Sequence, residues 1–237
     1  MKKQKNYVLL KLAGVIALAL FVVNLMSSPS DQSIRNRVML LSSDKGACSG
    51  EQVRAPSGID YVLTAGHCRI LEENGSVKVR TEDGKEMIRK VVAEDLNSDL
   101  LLLEGVPNVR GLDVAQYSLR FDHMRAFTHG HALATYETQG FYIQRVEVKV
   151  PERIAPLGQL ESCDGPKHKI IDDLEDNASI CALDVFETAS TVAIAPGSSG
   201  GPIVNDNGQL VGVASASDGF FGYLVSLTDI RLFLRNY

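Results

Sequence analysis

The chain has no tryptophan, and aromatic residues make up only 6% of its 237 residues. Its interior must therefore be packed with aliphatic side chains, and a hydrophobic content of 45% supplies enough of them. Basic clusters are absent outside the N-terminus. Formal net charge is −5, and setting aside Lys2, Lys3, Lys5 and Lys11 takes it to about −9. An acidic body without a basic patch excludes nucleic acid as a natural partner. Cysteine is scarce, with four in the chain and no Cys-x-x-Cys, which speaks against the usual zinc sites. An even number suits two disulfides in an oxidising compartment, with three pairings open. His129-Gly130-His131, with His123 nearby, has no acidic partner in the motif, so it reads as structural or exposed. No metal and no cofactor are expected.

What the chain does have is an unusual stretch, Ala195-Pro196-Gly197-Ser198-Ser199-Gly200-Gly201-Pro202. Glycine gives up the most backbone entropy on folding and weakens strands. Three glycines around a serine pair therefore indicate a special backbone path. Acyl transfer needs such a path: a serine oxygen attacks a carbonyl while nearby N–H groups converge on the oxyanion. Gly197 and Ser199 are spaced so that their N–H groups could line one pocket. Gly200 and Gly201 are expected to let a substrate backbone approach. Upstream, Val62-Leu63-Thr64-Ala65-Gly66-His67-Cys68 ends an apolar run in small residues and a histidine. Asn97-Ser98-Asp99 leads directly into Leu100-Leu101-Leu102-Leu103.

Thr64-Ala65-Gly66-His67-Cys68, Ser98-Asp99-Leu100-Leu101 and Gly197-Ser198-Ser199-Gly200-Gly201-Pro202 stand in the order His, Asp, Ser. Together they resemble the three motifs of a trypsin-like serine protease of the chymotrypsin fold. The resemblance runs over residues 37–230. It implies that Ser199 is the nucleophile, His67 the general base and acid, and Asp99 the group that holds the imidazole. Gly197 and Ser199 would supply the oxyanion N–H groups. Ser198 takes the motif's variable position, and Asp95 is the competitor for the acid role. Ser215 matches a family serine that bonds the buried acid, although a plain strand serine reads equally well. Ala193 would sit near the floor of the substrate pocket, with Ser215, Ser217 and Gly222 on its walls. No fixed charge appears there, which disfavours strict Arg/Lys specificity and allows small or medium apolar side chains. Asp218 lies close to this pocket. Ala214 stands where glutamyl endopeptidases place a histidine, so glutamate preference is not expected. The resemblance further implies a Cys48–Cys68 disulfide, leaving Cys163 and Cys181 as the second pair. Ser198 replaces the aspartate of many zymogens, and an Ile-Val-Gly-Gly start is missing, so activation by N-terminal insertion is not expected. The motif is nearer the bacterial high-temperature-requirement proteases than the digestive zymogens. The peptide-binding domain that those proteases often carry is not expected here.

Short β-like runs separated by turn signals fill the rest of the chain, at 38–41, 61–64, 77–80, 87–93, 100–104, 126–129, 141–150, 191–195, 203–204, 210–215 and 222–225. Asp83-Gly84 and Asp206-Asn207-Gly208 read as hairpin turns. The pattern is all-β, sandwich or barrel. The resemblance implies two six-stranded β-barrels, at 31–116 with His67 and Asp99, and at 117–237 with Ser199. Residues 228–237 read as a short C-terminal helix capped by Thr228 or Asp229. Asn74-Gly75-Ser76 and Asn177-Ala178-Ser179 fit the glycosylation pattern, which matters only in a glycosylating host.

Residues 1–30 combine a basic start with an apolar helix-forming run from Leu12 to Val23. They fit a secretory signal peptide, with Ser28 and Ser30 as the best small-residue pair, or a signal anchor followed by a linker. Either way the positive flank stays inside and the rest of the chain is exported. The expected function is an exported serine endopeptidase acting on protein or peptide substrates through an acyl-enzyme. The rivals are a binding or adhesion module on an inactive protease fold, and an esterase using the same residues.

Overall fold

The computed structural model describes residues 31–118, 122–129, 136–157, 168–173, 178–217 and 219–237. For residues 136, 141–156, 168–173, 178 and 180–187 only the backbone path is described. The N-terminal apolar helix, His131, Cys163, Asn177 and Asp218 fall outside these residues. Among the described residues no helix is long and apolar enough to cross a membrane.

Strands β1 (Val38–Ser43), β2 (Gly46–Arg54), β3 (Asp60–Ala65), β4 (Ser76–Thr81), β5 (Glu86–Asp95) and β6 (Leu100–Glu104) close a barrel in the order β1-β2-β3-β6-β5-β4. The apolar runs explain the closure. Met39, Leu41, Val62, Val79, Leu101 and Leu103 fill the barrel's inside. Val38, Leu63, Leu100 and Leu102 face the opposite way, into a second cluster. The unbroken run Leu100 to Leu103 is thus buried on both faces, which is why it does not alternate with polar residues. β5 faces solvent on one side and alternates exposed with half-buried residues along its whole length. Asp83-Gly84 makes the β4–β5 turn as read, with Gly84 at φ 81° and its N–H on the Thr81 carbonyl.

The remaining strands are β7 (His123–Thr128), β8 (Tyr136–Pro156), β9 (His168–Asp173), β10 (Ala178–Ser190), β11 (Pro202–Val204), β12 (Leu210–Ser217) and β13 (Gly222–Ser226). Their order is β13-β12-β11-β7-β8-β10-β9, and Thr188–Ser190 of β10 also pair with Gly222–Leu224 of β13. Six strands thereby form a closed ring of pairings, with β9 added along β10. The fold is all-β, as expected. β2, β9 and β10 were not anticipated from the sequence. The strand expected at 191–195 is absent, because the ladder ends at Ser190. There the chain passes side-on against two glycines. A Cβ on Gly140 would lie 2.4 Å from the Val192 nitrogen, and one on Gly222 would lie 2.3 Å from the Val192 carbonyl oxygen.

Two short helices flank the strands among the described residues. α1 (Asp31–Arg35) inserts fully buried Ile34 into the cluster that holds Val38, Leu63, Leu100, Phe127, Leu210 and Val225. α2 (Leu227–Leu234) adds Ile230 and Leu234 to the same cluster. Its cap is Ser226 rather than Thr228 or Asp229. The Ser226 hydroxyl accepts the Asp229 N–H at 3.2 Å and donates to the Asp229 carboxylate at 2.6 Å. This cluster joins the two strand sets. Each large aliphatic side chain buried in it contributes about 1.5–3 kcal/mol.

Candidate active site

His67 follows β3 directly, in a 3₁₀ turn spanning Gly66–Leu71. Its neighbour Cys68 is bonded to Cys48 of β2, as the motif implied. The bridge restrains the turn at the residue beside the imidazole. Of the second expected pair, Cys163 lies outside the described residues and Cys181 is described by its backbone alone.

The β3–β6 ladder pairs Ala65 with Leu100, so Gly66 meets Asp99 just beyond it. That meeting requires glycine. A Cβ on Gly66 would lie 2.8 Å from the Leu100 nitrogen and 2.9 Å from the Asp99 carbonyl carbon. Asp99 is fully buried and has a left-handed backbone, φ 52°. Its Oδ1 accepts the His67 backbone N–H at 2.7 Å, and both its oxygens lie 3.0 Å from His67 Nδ1. Oδ2 also accepts the Ser215 hydroxyl at 2.7 Å. A buried carboxylate needs such donors to offset its lost hydration. With Nδ1–H given to Asp99, the neutral ring keeps Nε2 as its basic nitrogen. Asp95, the competitor, instead accepts the Asn97 N–H at 3.1 Å and stabilises the local turn.

Two consecutive turns carry Ser199. The Ser198 N–H bonds the Ala195 carbonyl at 2.9 Å, and the Gly201 N–H bonds the Ser198 carbonyl at 2.9 Å. Each turn has a glycine of positive φ in its third position, Gly197 at 85° and Gly200 at 84°. This is the residue that a type II turn demands there, with Pro196 favoured before it. The turns give the two serines opposite fates. Ser198 is buried and shares a 2.8 Å hydrogen bond with the Thr128 hydroxyl. Ser199 stays partly exposed, and its hydroxyl donates to the Ser215 carbonyl at 2.8 Å. Ser215 therefore touches both Asp99 and Ser199. The Cys68 sulfur lies 3.8 Å from the Ser199 carbonyl oxygen, which brings the serine loop beside the histidine turn.

Gly200 does something other than admit a substrate backbone. A Cβ there would fall 1.9 Å from Thr64 Oγ1 and 2.2 Å from the Ser49 carbonyl oxygen, so it is the first barrel that comes close. Gly201 likewise would meet the Thr128 methyl at 2.5 Å. The N–H groups of Gly197 and Ser199 donate to no acceptor among the described residues. Among the suggested pocket residues, Ala193 and Ser217 are exposed, whereas Gly222 and Ser215 are buried. Gly222 pairs with Ser217 and rests against Val192 and Ile194, so these segments adjoin.

Three residues near this site were not singled out in the sequence. Ser49 is fully buried and bonds the serine loop across the seam. Thr128 receives Ser198. Glu51, two residues on from Ser49, is fully buried with neither carboxylate oxygen hydrogen-bonded among the described residues, and burial pushes its pKa well above the ordinary glutamate value. The one sequence signal for Ser49 is its setting, a serine before Gly50 in a strand, where small residues mark close backbone approach. His129 is also buried, and burial lowers its pKa.

Comparison with known proteins bears on the family and the fold. A family model described as a trypsin-like peptidase domain matches residues 48–213. The serine protease Do-like HtrA of Bacillus subtilis (strain 168) is 27% identical over 173 residues, covering 73% of this chain. The chain spans 34% of that relative's length. Among solved structures, Rv3671c from M. tuberculosis H37Rv, as a serine-to-alanine mutant in its inactive form, superposes with a TM-score of 0.62. It is 18% identical, over 90% of this chain and 91% of that chain. The HtrA-type protease AlgW, as a serine-to-alanine variant with a tripeptide, has a TM-score of 0.58. It is also 18% identical, over 85% of this chain and 60% of that chain. These structural likenesses extend to the fold.

Proposed function

Because the chain belongs to the family of trypsin-like peptidase domains, we propose that it is a serine endopeptidase with Ser199, His67 and Asp99 as its triad. The observation that carries this reading is the buried Asp99 carboxylate, which takes His67 on one side and Ser215 on the other, while Ser215 holds the Ser199 hydroxyl. In this mechanism the Ser199 hydroxyl leaves the Ser215 carbonyl by rotation about its Cα–Cβ bond and turns to His67 Nε2. His67 takes the proton as Oγ bonds to the scissile carbonyl carbon. Asp99 balances the imidazolium and keeps Nδ1 protonated. The tetrahedral oxygen gains its negative charge between the N–H groups of Gly197 and Ser199, each worth roughly 3–4 kcal/mol in comparable enzymes. Collapse breaks the C–N bond, and the amine departs with the proton from His67. Water, deprotonated by the same histidine, then hydrolyses the acyl-enzyme.

Substrates in this reading are proteins or peptides, with small or medium apolar residues before the cleaved bond. Ala193, Ser217 and Gly222 form the uncharged wall. The tripeptide held by AlgW supports a peptide-binding groove on this fold. Export is part of the same proposal. Its support is the basic-then-apolar start at residues 1–30 and the Cys48–Cys68 disulfide, which an oxidising compartment maintains.

A fluorophosphonate probe tests the chemistry, since it bonds only to an activated serine and releases fluoride. Wild-type protein is expected to label and Ser199→Ala to stay unlabelled. Labelling that persists in Ser199→Ala puts the nucleophile at another residue and overturns the triad, whereas a wild type that never labels favours an inactive binding module on this fold. For export, externally added protease is expected to digest the folded domain on intact cells.

A further inference from the structure

Ser49 belongs to the first barrel, whereas the loop carrying Ser199 belongs to the second strand set. Four hydrogen bonds meet on this one fully buried residue. Its N–H donates to the Ser199 carbonyl at 2.7 Å. Its hydroxyl donates to the Gly197 carbonyl at 2.9 Å and accepts the His129 N–H at 2.8 Å. Its own carbonyl accepts the Thr64 hydroxyl at 2.7 Å.

These bonds fall on alternate peptide units of the serine loop. A peptide unit is planar, so holding its carbonyl and its N–H fixes its orientation. The unit joining Gly197 to Ser198 is held by Ser49 Oγ at one end and by the Ala195 carbonyl at the other. The unit joining Ser199 to Gly200 is held by the Ser49 N–H and, at 2.6 Å, by the Ala214 carbonyl. The Gly197 N–H belongs to the unit just before the first of these and the Ser199 N–H to the unit between them, and neither has an acceptor among the described residues.

The geometry points to Ser49 as a positioning residue for the oxyanion donors. Its hydroxyl fixes the Gly197–Ser198 peptide, and through it the direction of the Gly197 N–H. Ser49 touches no reacting atom. The inference rests on the reading of Ser199 as nucleophile and of Gly197 and Ser199 as oxyanion donors. The main-chain bond from the Ser49 N–H survives substitution, so side-chain variants isolate the hydroxyl's share.

The test uses the full chain with Ser49→Ala and Ser49→Gly, two variants that add no bulk. Active sites are counted with the fluorophosphonate probe, and kcat and KM are measured per labelled site on a peptide substrate. A peptide aldehyde completes the set, because its hemiacetal oxygen takes the oxyanion's place. Expected are a fall in kcat of about tenfold, the scale of one well-placed hydrogen bond, and an equal loss of aldehyde affinity. KM is expected to stay within about twofold, as for an interaction made in the transition state. A lowered Tm with full kcat per labelled site in either folded variant overturns the proposal, as does a raised KM with unchanged kcat. Wild-type protein inert to the probe overturns the triad reading and this inference with it. A reactive wild type with unaffected variants overturns the role of Ser49 alone.

Discussion

Asp99 and Glu51 are two buried carboxylates with opposite surroundings. Asp99 is met by a backbone N–H, an imidazole nitrogen and a serine hydroxyl. Asp99→Asn keeps the shape but gives one side of the group a donor, which favours the wrong imidazole tautomer. In the proposed mechanism kcat is expected to fall by roughly 10⁴-fold, with urea stability changed far less; steady-state kinetics beside a denaturation curve checks both. Glu51 has no donor among the described residues, and burial raises its pKa. The unfolded chain therefore releases a proton that the folded chain retains. Stability from this group is fully present below about pH 4.3 and is lost as pH rises, by up to about 1.4 kcal/mol per unit until the folded pKa is reached. Glu51→Gln is expected to remove that slope, so its advantage over wild type in urea midpoint should grow from pH 5 to pH 8. The residues of the proposed chemistry were legible because acyl transfer needs those side-chain types in recognisable local settings. Glu51 and Ser49 were not. What they do depends on parts of the chain far away in sequence, and the small residue Gly50 beside Ser49 marks a close approach without saying what approaches.

At the scale of elements, the turns named by Asp83-Gly84 and Asp206-Asn207-Gly208 were readable because positive φ selects glycine, and Gly208 has φ 70°. β2 was not readable. Gly46, Ala47 and Gly50 are poor strand formers, and pairing with β1 makes this stretch extended, while β3 takes up the following residues Glu51–Arg54. Gly200 was recognised as special for the wrong reason, since the first barrel occupies the space attributed to substrate. Gly200→Ala is expected to destabilise the fold by about 3 kcal/mol or more, from the clash with Thr64 and Ser49 at a positive φ. Gly84→Ala also has positive φ but meets nothing within 4 Å, and should lose only about 1 kcal/mol. Thermal melts of the two variants make the comparison. Reducing the Cys48–Cys68 bridge is expected to lower stability by about 2–5 kcal/mol, read from melts with and without reductant.

At the scale of the molecule, one apolar cluster packs the two strand sets against each other. Phe127 is its largest fully buried side chain, flanked by the guanidinium groups of Arg35 and Arg125 at 5.6 and 5.5 Å from its ring centre. Phe127→Ala is expected to remove about 3–5 kcal/mol. If the two strand sets depend on one another, the variant's melt remains a single transition at lower temperature; two separate transitions would show that each stands alone. All-β architecture followed from short runs and turn residues. The pairing order of the second set did not, because long-range strand partners leave no local trace.

Ile34 and Leu234 occupy one apolar cluster although two hundred residues of chain separate them. During synthesis the first of these emerges long before the last. A nascent chain therefore carries Ile34 without its final cover until α2 has left the ribosome. The seam beside the candidate triad gains its last apolar support from α2, so the proposed chemistry depends on a helix that follows Ser199 in the chain.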